Sequence, residues 1–164
     1  MPCTRLISPN NMTSNSLPIP YVASDESHIN AWQIAYCCFD GDDDTVWGSD
    51  YPIPAWIKID LGSAATACAY GMKTAYQNYP VDWTFEGSVN GVTGWTVLDT
   101  KTGQSAQPTL SHIDIGNEDA YRYYRWDCTV TSHTNIAISI LEIYIAEYEF
   151  VRDIIQGGHI PIKR

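Results

Sequence analysis

Basic side chains are scarce in this sequence. Its 164 residues hold 9 Lys and Arg against 19 Asp and Glu, which gives a formal net charge of -10 at pH 7. Such a chain repels phosphate backbones and anionic lipid surfaces, so no nucleic-acid partner is expected. No apolar run approaches the roughly 18 residues of a membrane-spanning helix, so no membrane insertion is expected. Residues 1–5 lack the apolar segment of a signal peptide, and no cleaved leader is expected.

Cysteines are few and odd in number: Cys3, Cys37, Cys38, Cys68 and Cys128. Neighbours in the chain have a poor geometry for an ordinary disulfide, which disfavours a Cys37–Cys38 bond. Cys68 and Cys128 lie in strand-like runs, where a free cysteine is a small buried apolar residue. No Cys/His spacing indicates zinc. The simplest interpretation is free thiols in a chain that folds in a reducing cytoplasm.

The motifs that carry catalysis are also missing. We find no Gly-x-Ser-x-Gly, no His-Glu-x-x-His and no phosphate-binding glycine loop. The four histidines are scattered along the chain, and none lies in a catalytic motif. Two carboxylates across a cleft, as in glycosidases, remain an alternative because they need no further motif. We expect a protein that is not an enzyme.

Sustained helical periodicity is absent between residues 21 and 146. Hydrophobic residues make up 45% of the chain and charged residues only 17%, which is enough apolar material for one domain with a core. Short β-rich segments alternate with turns, and Asn90-Gly91 is a hairpin signal. This pattern predicts an all-β sandwich or barrel. The predicted strands are 21–25, 56–61, 68–74, 83–88, 95–99, 110–115, 121–130 and 136–146.

The two ends of the chain differ in character from its middle. Residues 1–20 are rich in Asn, Ser, Thr and Pro, which predicts an N-terminal arm. Residues 147–164 form a C-terminal tail that ends in the extended, basic segment 159–164. The tail either covers the domain, 21–146, or docks on another subunit, and its charge is opposite to that of the acidic domain.

An acidic loop is the strongest local signal. Asp40, Asp42 and Asp44 alternate, which is how a turning backbone offers several oxygens to a hard cation such as calcium. An EF-hand is excluded, because its sixth and twelfth positions would fall on Thr45 and Tyr51. The alternative is an acidic, solvated turn.

Five motifs in order carry a family resemblance. Residues 35–47 read AYCCFDGDDDTVW, and 54–62, 80–91, 121–125 and 141–143 follow with PAWIKIDLG, PVDWTFEGSVNG, YRYYR and LEI. Together they resemble the discoidin domain, also called the coagulation factor 5/8 type C domain, of the galactose-binding-like superfamily. The resemblance covers residues 21 to 146. It implies an eight-stranded antiparallel, jelly-roll-like β-sandwich with short terminal arms that acts as a non-catalytic carbohydrate-binding module.

The resemblance also implies a structural calcium ion. Glu142 lies among Leu and Ile residues, where an unpaired carboxylate would be costly and a cation would resolve the cost. The alternative is that Glu142 pairs with Arg122 or Arg125. The implied protein ligands come from the acidic loop and the last strand: the side chains of Asp40, Thr45 and Glu142, an oxygen of Asp42, and the backbone carbonyls of Cys37 and Leu141.

Ligands of this family bind loops at one end of the sandwich. The corresponding loops here are 25–33, 48–54, 74–82 and 130–136. They offer aromatic rings that stack on the apolar face of a sugar and polar groups that bond its hydroxyls. The alternative is that these loops are merely solvated. The candidate ligand-binding residues are His28, Trp32, Tyr76, Asn78, Tyr79, His133 and Asn135.

The tryptophans outside these loops predict core positions. Trp47 and Trp56 match family positions that pack the core, and Trp95 and Trp126 lie on strand-like runs. All four are therefore expected in the interior.

Residues 12–24 are similar to the lead-in of discoidin domains in bacteriophage structural proteins. We therefore expect a virion-associated protein, made in the host cytoplasm, that contacts host or environmental glycans. The alternative is a structural virion decoration or tail component that docks on other assembly subunits through its arms without binding sugar. A third hypothesis is an extracellular or cell-surface adhesin or an enzyme-appended module.

Overall fold

Alternating apolar residues build the strands of this protein. The computed structural model describes residues 3–50 and 53–146, and its longest strands bury every second side chain, as strand geometry requires. Within these ranges there is one 3-10 helix, Ala35–Cys38, and it precedes the acidic loop. The strands are β1 Arg5–Leu6, β2 Val22–Asp25, β3 Trp47–Gly48, β4 Ala55–Ala65, β5 Ala69–Thr74, β6 Pro80–Ser88, β7 Thr96–Lys101, β8 Ser111–Asp114, β9 Tyr121–Thr131 and β10 Ala137–Ile145.

The strands form two antiparallel sheets. The first has the order β1-β10-β5-β8, with β3 also paired to β10, and the second has the order β2-β4-β9-β6-β7. All eight predicted strands are present, and the two-residue strands β1 and β3 are additional. The predicted all-β sandwich is confirmed. Within the described ranges, no helix has the length and apolarity needed to cross a membrane.

Aromatic rings fill the space between the sheets. Trp126 lies 4.9 Å from Phe85, 6.2 Å from Tyr70 and 6.3 Å from Phe39, measured between ring centroids. Trp47 and Trp126 are fully buried, which confirms their predicted core positions. The other two tryptophans of the set, Trp56 and Trp95, are only half-buried, so the same prediction is wrong for them.

The N-terminal segment is part of the sandwich, although its composition predicts an arm outside the core. Met12 is only 2% exposed and belongs to the core, and its N–H donates to the Phe39 carbonyl at 3.0 Å. Gly41 has a φ of +75°, and a Cβ there would lie 2.3 Å from the Asn10 carbonyl oxygen. The segment therefore supports the acidic loop directly.

A disulfide joins Cys3 to Cys68, with a Cα–Cα distance of 5.9 Å. The prediction that these two cysteines are free thiols is therefore wrong: the N-terminal segment brings Cys3 onto the start of β5, which no sequence pattern indicates. Cys37, Cys38 and Cys128 are free and buried, as expected. Burial raises the pKa of the Cys38 and Cys128 thiols, which keeps both protonated at neutral pH.

The predicted C-terminal tail, 147–164, lies outside the described residues.

Candidate functional site

Four loops meet at one end of the sandwich, as the sequence predicts. The Ile29 N–H donates to the Gly48 carbonyl, and the next residue, Ser49, exchanges two hydrogen bonds with Ile136. The Ala137 N–H in turn donates to the Asn78 carbonyl at 2.6 Å. These bonds connect the loops after β2, β3, β5 and β9 into one surface, called here the loop end.

Among the described residues of the loop end, Trp32 is the most exposed large apolar side chain. It is 84% exposed, yet its backbone is fixed. The Trp32 N–H donates to Asn30 Oδ1 at 2.8 Å, and the Trp32 carbonyl accepts from the Cys37 thiol at 3.4 Å. An indole ring held in solvent on an ordered turn is a preorganised surface for stacking.

The other predicted ligand residues divide into exposed side chains and structural ones. Tyr76 is 78% exposed, and His133 is also exposed. His28 lies 3.2 Å from Asp25 through its Nδ1 atom. The remaining three residues are half-buried and tie the loops together through their backbone carbonyls: Asn78, Tyr79 and Asn135.

The acidic loop gathers oxygen atoms around one hydroxyl group. Thr45 Oγ1 lies 2.8 Å from Asp40 Oδ2, 3.1 Å from the Asp42 carbonyl and 3.2 Å from the Cys37 carbonyl. The hydroxyl has one hydrogen to donate and three acceptors around it. These four groups, called here the oxygen cradle, supply oxygen atoms, which are the ligand type of a hard cation, but they are fewer than the six to eight ligands that calcium takes.

The last strand, β10, carries the two other predicted ligands, the Leu141 carbonyl and the Glu142 carboxylate. The Cys38 thiol donates to the Ile138 carbonyl of β10, and Glu142 lies four residues further on, about 13 Å along a strand. The Glu142 carboxylate accepts a hydrogen bond from the Tyr144 hydroxyl, and the Leu141 side chain packs in the core. In residues 3–50 and 53–146, no three His, Cys, Asp or Glu side chains are grouped as a metal site.

The arginines that could have paired with Glu142 have other partners. Arg122 holds Asp60 with two hydrogen bonds of 2.7 and 2.8 Å, and together with the Gly62 N–H it keeps the pKa of that carboxyl low against the effect of burial. Arg125 pairs with Glu86 at 2.6 Å. The alternative of an arginine pair for Glu142 is therefore wrong.

The outer face of the second sheet carries aromatic and charged side chains that the sequence did not indicate as a site. Trp56 and Trp95 are half-buried there, so their predicted core positions are wrong. Lys58 lies over the Trp56 ring at 4.8 Å, and Arg125 lies over the Trp95 ring at 4.4 Å. Sequence reasoning missed the alternation along β4. Trp56 lies between the buried residues Ala55 and Ile57, so its side chain is on the opposite, outer face of the sheet.

The two-sheet sandwich is the fold of a class of non-catalytic modules. A family model of the F5/F8 type C group, described as the NedA-like, galactose-binding domain, matches residues 37–126. The chain belongs to this family, which supports the expectation that it is not an enzyme. A comparison with curated proteins gives no match.

Several solved structures with the same fold are carbohydrate-binding modules. The chitosan-binding module 1 of a chitosanase/glucanase from Paenibacillus sp. IK-5 is 23% identical, with a TM-score of 0.71 over 85% of this chain and 98% of that one. The family 32 module of NanJ from C. perfringens, in complex with galactose, is 15% identical, with a TM-score of 0.67 over 76% and 93%. The family 32 module of AlyQ, in complex with 4,5-unsaturated mannuronic acid, is 18% identical, with a TM-score of 0.67 over 76% and 95%.

Proposed function

We propose that this protein is a carbohydrate-recognition module and that its glycan binds at the loop end. The observation that carries the proposal is Trp32, an indole that stays 84% exposed on a turn fixed by Asn30. Such a ring gains contact area when the C–H face of a sugar stacks on it, and little ordering is needed. Tyr76 adds a second exposed ring, and His133 adds a hydrogen-bonding group. The glycans held by solved structures of the same fold, galactose among them, support this ligand class.

Replacing Trp32 by alanine is expected to weaken glycan binding at least about 10-fold, which corresponds to roughly 1.4 kcal/mol. A glycan array identifies the ligand, and calorimetry then compares the wild type with Trp32→Ala and Tyr76→Ala. Ile19→Ala is the matched control, because Ile19 is a similarly exposed apolar residue, at 81%, outside these loops. Unchanged binding by Trp32→Ala would place the glycan elsewhere. A folded wild type that binds no glycan would contradict the function.

The oxygen cradle supports a second proposal, that the protein binds a structural calcium ion. Asp40, Asp42, Thr45 and Cys37 would hold it, and bound calcium would neutralise the crowded oxygens and tie the loop to the 3-10 helix. Leu141 and Glu142 contact other groups, so their part in the site stays a prediction.

Calcium at about 100 times its dissociation constant is expected to add about 2.7 kcal/mol to the free energy of unfolding. Thermal unfolding in calcium and in chelator measures this as a Tm difference on the order of 5 °C. Asp40→Asn should abolish the difference. Asp44→Asn is the control with the same charge change in the same loop, since the Asp44 carboxylate is exposed and has no role in the cradle. Equal Tm values for the wild type with and without calcium would contradict the site.

Association with a virion, and docking on its other subunits, stays a prediction of the sequence. Residues 3–20 are held on the sandwich by the Cys3–Cys68 disulfide and by the pairing of β1 with β10, so they are not a free docking arm. Of the two predicted arms, this leaves 147–164, outside the described residues, for an assembly contact. The glycan array also tests this alternative, because a folded protein that binds no glycan would favour the purely structural function.

A further inference from the structure

A cavity of about 240 Å³ opens on the outer face of the second sheet, away from the loop end. It is smaller than the roughly 300–1,000 Å³ of pockets that take drug-sized ligands. Its size suits a single small ring. Its lining residues are Trp56, Lys58, Gly91, Val92, Trp95 and Arg125.

Strand register and one hairpin fix the walls of this cavity. Lys58 of β4 stands directly opposite Arg125 of β9. The hairpin between β6 and β7 folds over them, and the Lys58 ammonium donates to the Gly91 carbonyl at 2.9 Å. Gly91 has a φ of +70°, and a Cβ there would lie 2.5 Å from the Tyr123 ring, so the hairpin tip rests on that ring. The cavity is therefore a built feature and not a gap between mobile loops.

The two cations at the floor of the cavity differ in whether a carboxylate neutralises them. Arg125 is neutralised by Glu86 at 2.6 Å and by Asp127 at 3.3 Å. Among the residues that the structure describes, no carboxylate lies within ion-pair distance of the Lys58 ammonium. Burial and the neighbouring Arg125 lower the pKa of Lys58, whereas Asp60 acts in the opposite direction. Lys58 has two N–H donors beyond its bond to Gly91, and an anion placed there would meet an unneutralised cation.

We propose that this cavity is a second binding site and takes one sugar ring that carries a carboxylate, a hexuronate, with Lys58 as the partner of the carboxylate. Trp56 and Trp95 supply the apolar walls that such a ring needs, and the exposed Val92 supplies its rim. A carboxylate also explains why an ammonium without an anionic partner lies in a protein of net charge -10. The inference does not depend on glycan binding at the loop end.

The test titrates the full-length protein with D-galacturonate and D-glucuronate, and with galacturonic acid methyl ester as the uncharged matched ligand. Two-dimensional NMR follows the indole N–H signals, assigned with Trp56→Phe and Trp95→Phe. The Trp56 and Trp95 signals should shift with at least one uronate. The dissociation constant fitted to these shifts should be at least 5-fold higher for the ester. Lys58→Gln should weaken uronate binding at least 5-fold in a protein whose spectrum shows it to be folded.

Two control variants separate this site from the rest of the protein. Lys101→Gln makes the same charge change on the same sheet, but Lys101 is paired with Asp99 at 2.8 Å, so uronate binding should not change. Trp32→Ala tests the loop end and should leave the shifts of Trp56 and Trp95 intact. The proposal is overturned if neither uronate shifts these two signals, if Lys58→Gln binds as the wild type does, or if uronate binding is lost only with Trp32→Ala.

Discussion

Cys68→Ser is expected to lower the free energy of unfolding by about 4 kcal/mol. The disulfide to Cys3 closes a loop of 65 residues, and in the chain-entropy account a closed loop of this length removes that much conformational freedom from the unfolded chain. The bond also holds the N-terminal segment in place, including Met12 in the core and Asn10 beside the acidic loop. Urea unfolding of the wild type and the variant measures the difference.

Reduction supplies the internal control for the disulfide. A reductant should destabilise the wild type by a similar amount and leave the Cys3→Ser/Cys68→Ser double variant unchanged. Cys37, Cys38 and Cys128 are present in both proteins, so their chemistry cancels in the comparison. A wild type whose unfolding does not respond to reductant, although mass spectrometry shows the bond to be reduced, would contradict the predicted role of the bond.

Strand alternation explains why the sandwich could be predicted. In β4 the buried residues Ala55, Ile57, Ile59 and Leu61 follow one another at every second position, and β9 repeats the pattern. The two-residue strands β1 and β3 could not be found in this way, because two residues contain no period. They form because each of them pairs with the backbone of β10.

Contacts over long sequence distances were beyond prediction from composition. Residues 1–20 predict an arm because they hold few apolar residues, yet Met12 is in the core and Cys3 bonds to Cys68. Both contacts are set by where the chain enters the sandwich, which depends on tertiary structure and not on local pattern. The odd number of cysteines was a weak guide for the same reason.

The loop end was predicted from the family resemblance, in which the ligand loops lie at one end of the sandwich. The loops that carry Trp32, Tyr76 and His133 leave strands at the same end, so their convergence needs no side-chain detail. Glu142 shows the opposite case. Its apolar neighbours suggested burial, but Leu141 and Ile143 are buried on the core side, and alternation turns Glu142 to the other face. A correct assignment of strand phase would also have placed Trp56 outside the core.

Arg125→Met is the second change with a large expected effect, a loss of about 3 kcal/mol in the free energy of unfolding at pH 7. Arg125 is the ion-pair partner of Glu86, a carboxylate only 6% exposed, and it also pairs with Asp127. Methionine keeps the packing on Trp95 but leaves the two carboxylates with no cation at their centre. Removal of one partner from a buried pair is costly because the remaining charge stays desolvated.

The pH dependence of Arg125→Met distinguishes a lost charge from lost packing. Burial raises the pKa of Asp127 in the wild type, Arg125 lowers it and Glu86 raises it. Removing Arg125 therefore raises this pKa further above its unfolded value of about 3.9. A group with a raised folded pKa loses stability as the pH rises through that pKa, so the deficit of the variant should shrink as the pH falls from 7 towards 4.

Urea unfolding at several pH values measures the deficit. A deficit for Arg125→Met that stays constant from pH 7 to pH 4 would assign the effect to packing on Trp95 and contradict the electrostatic account.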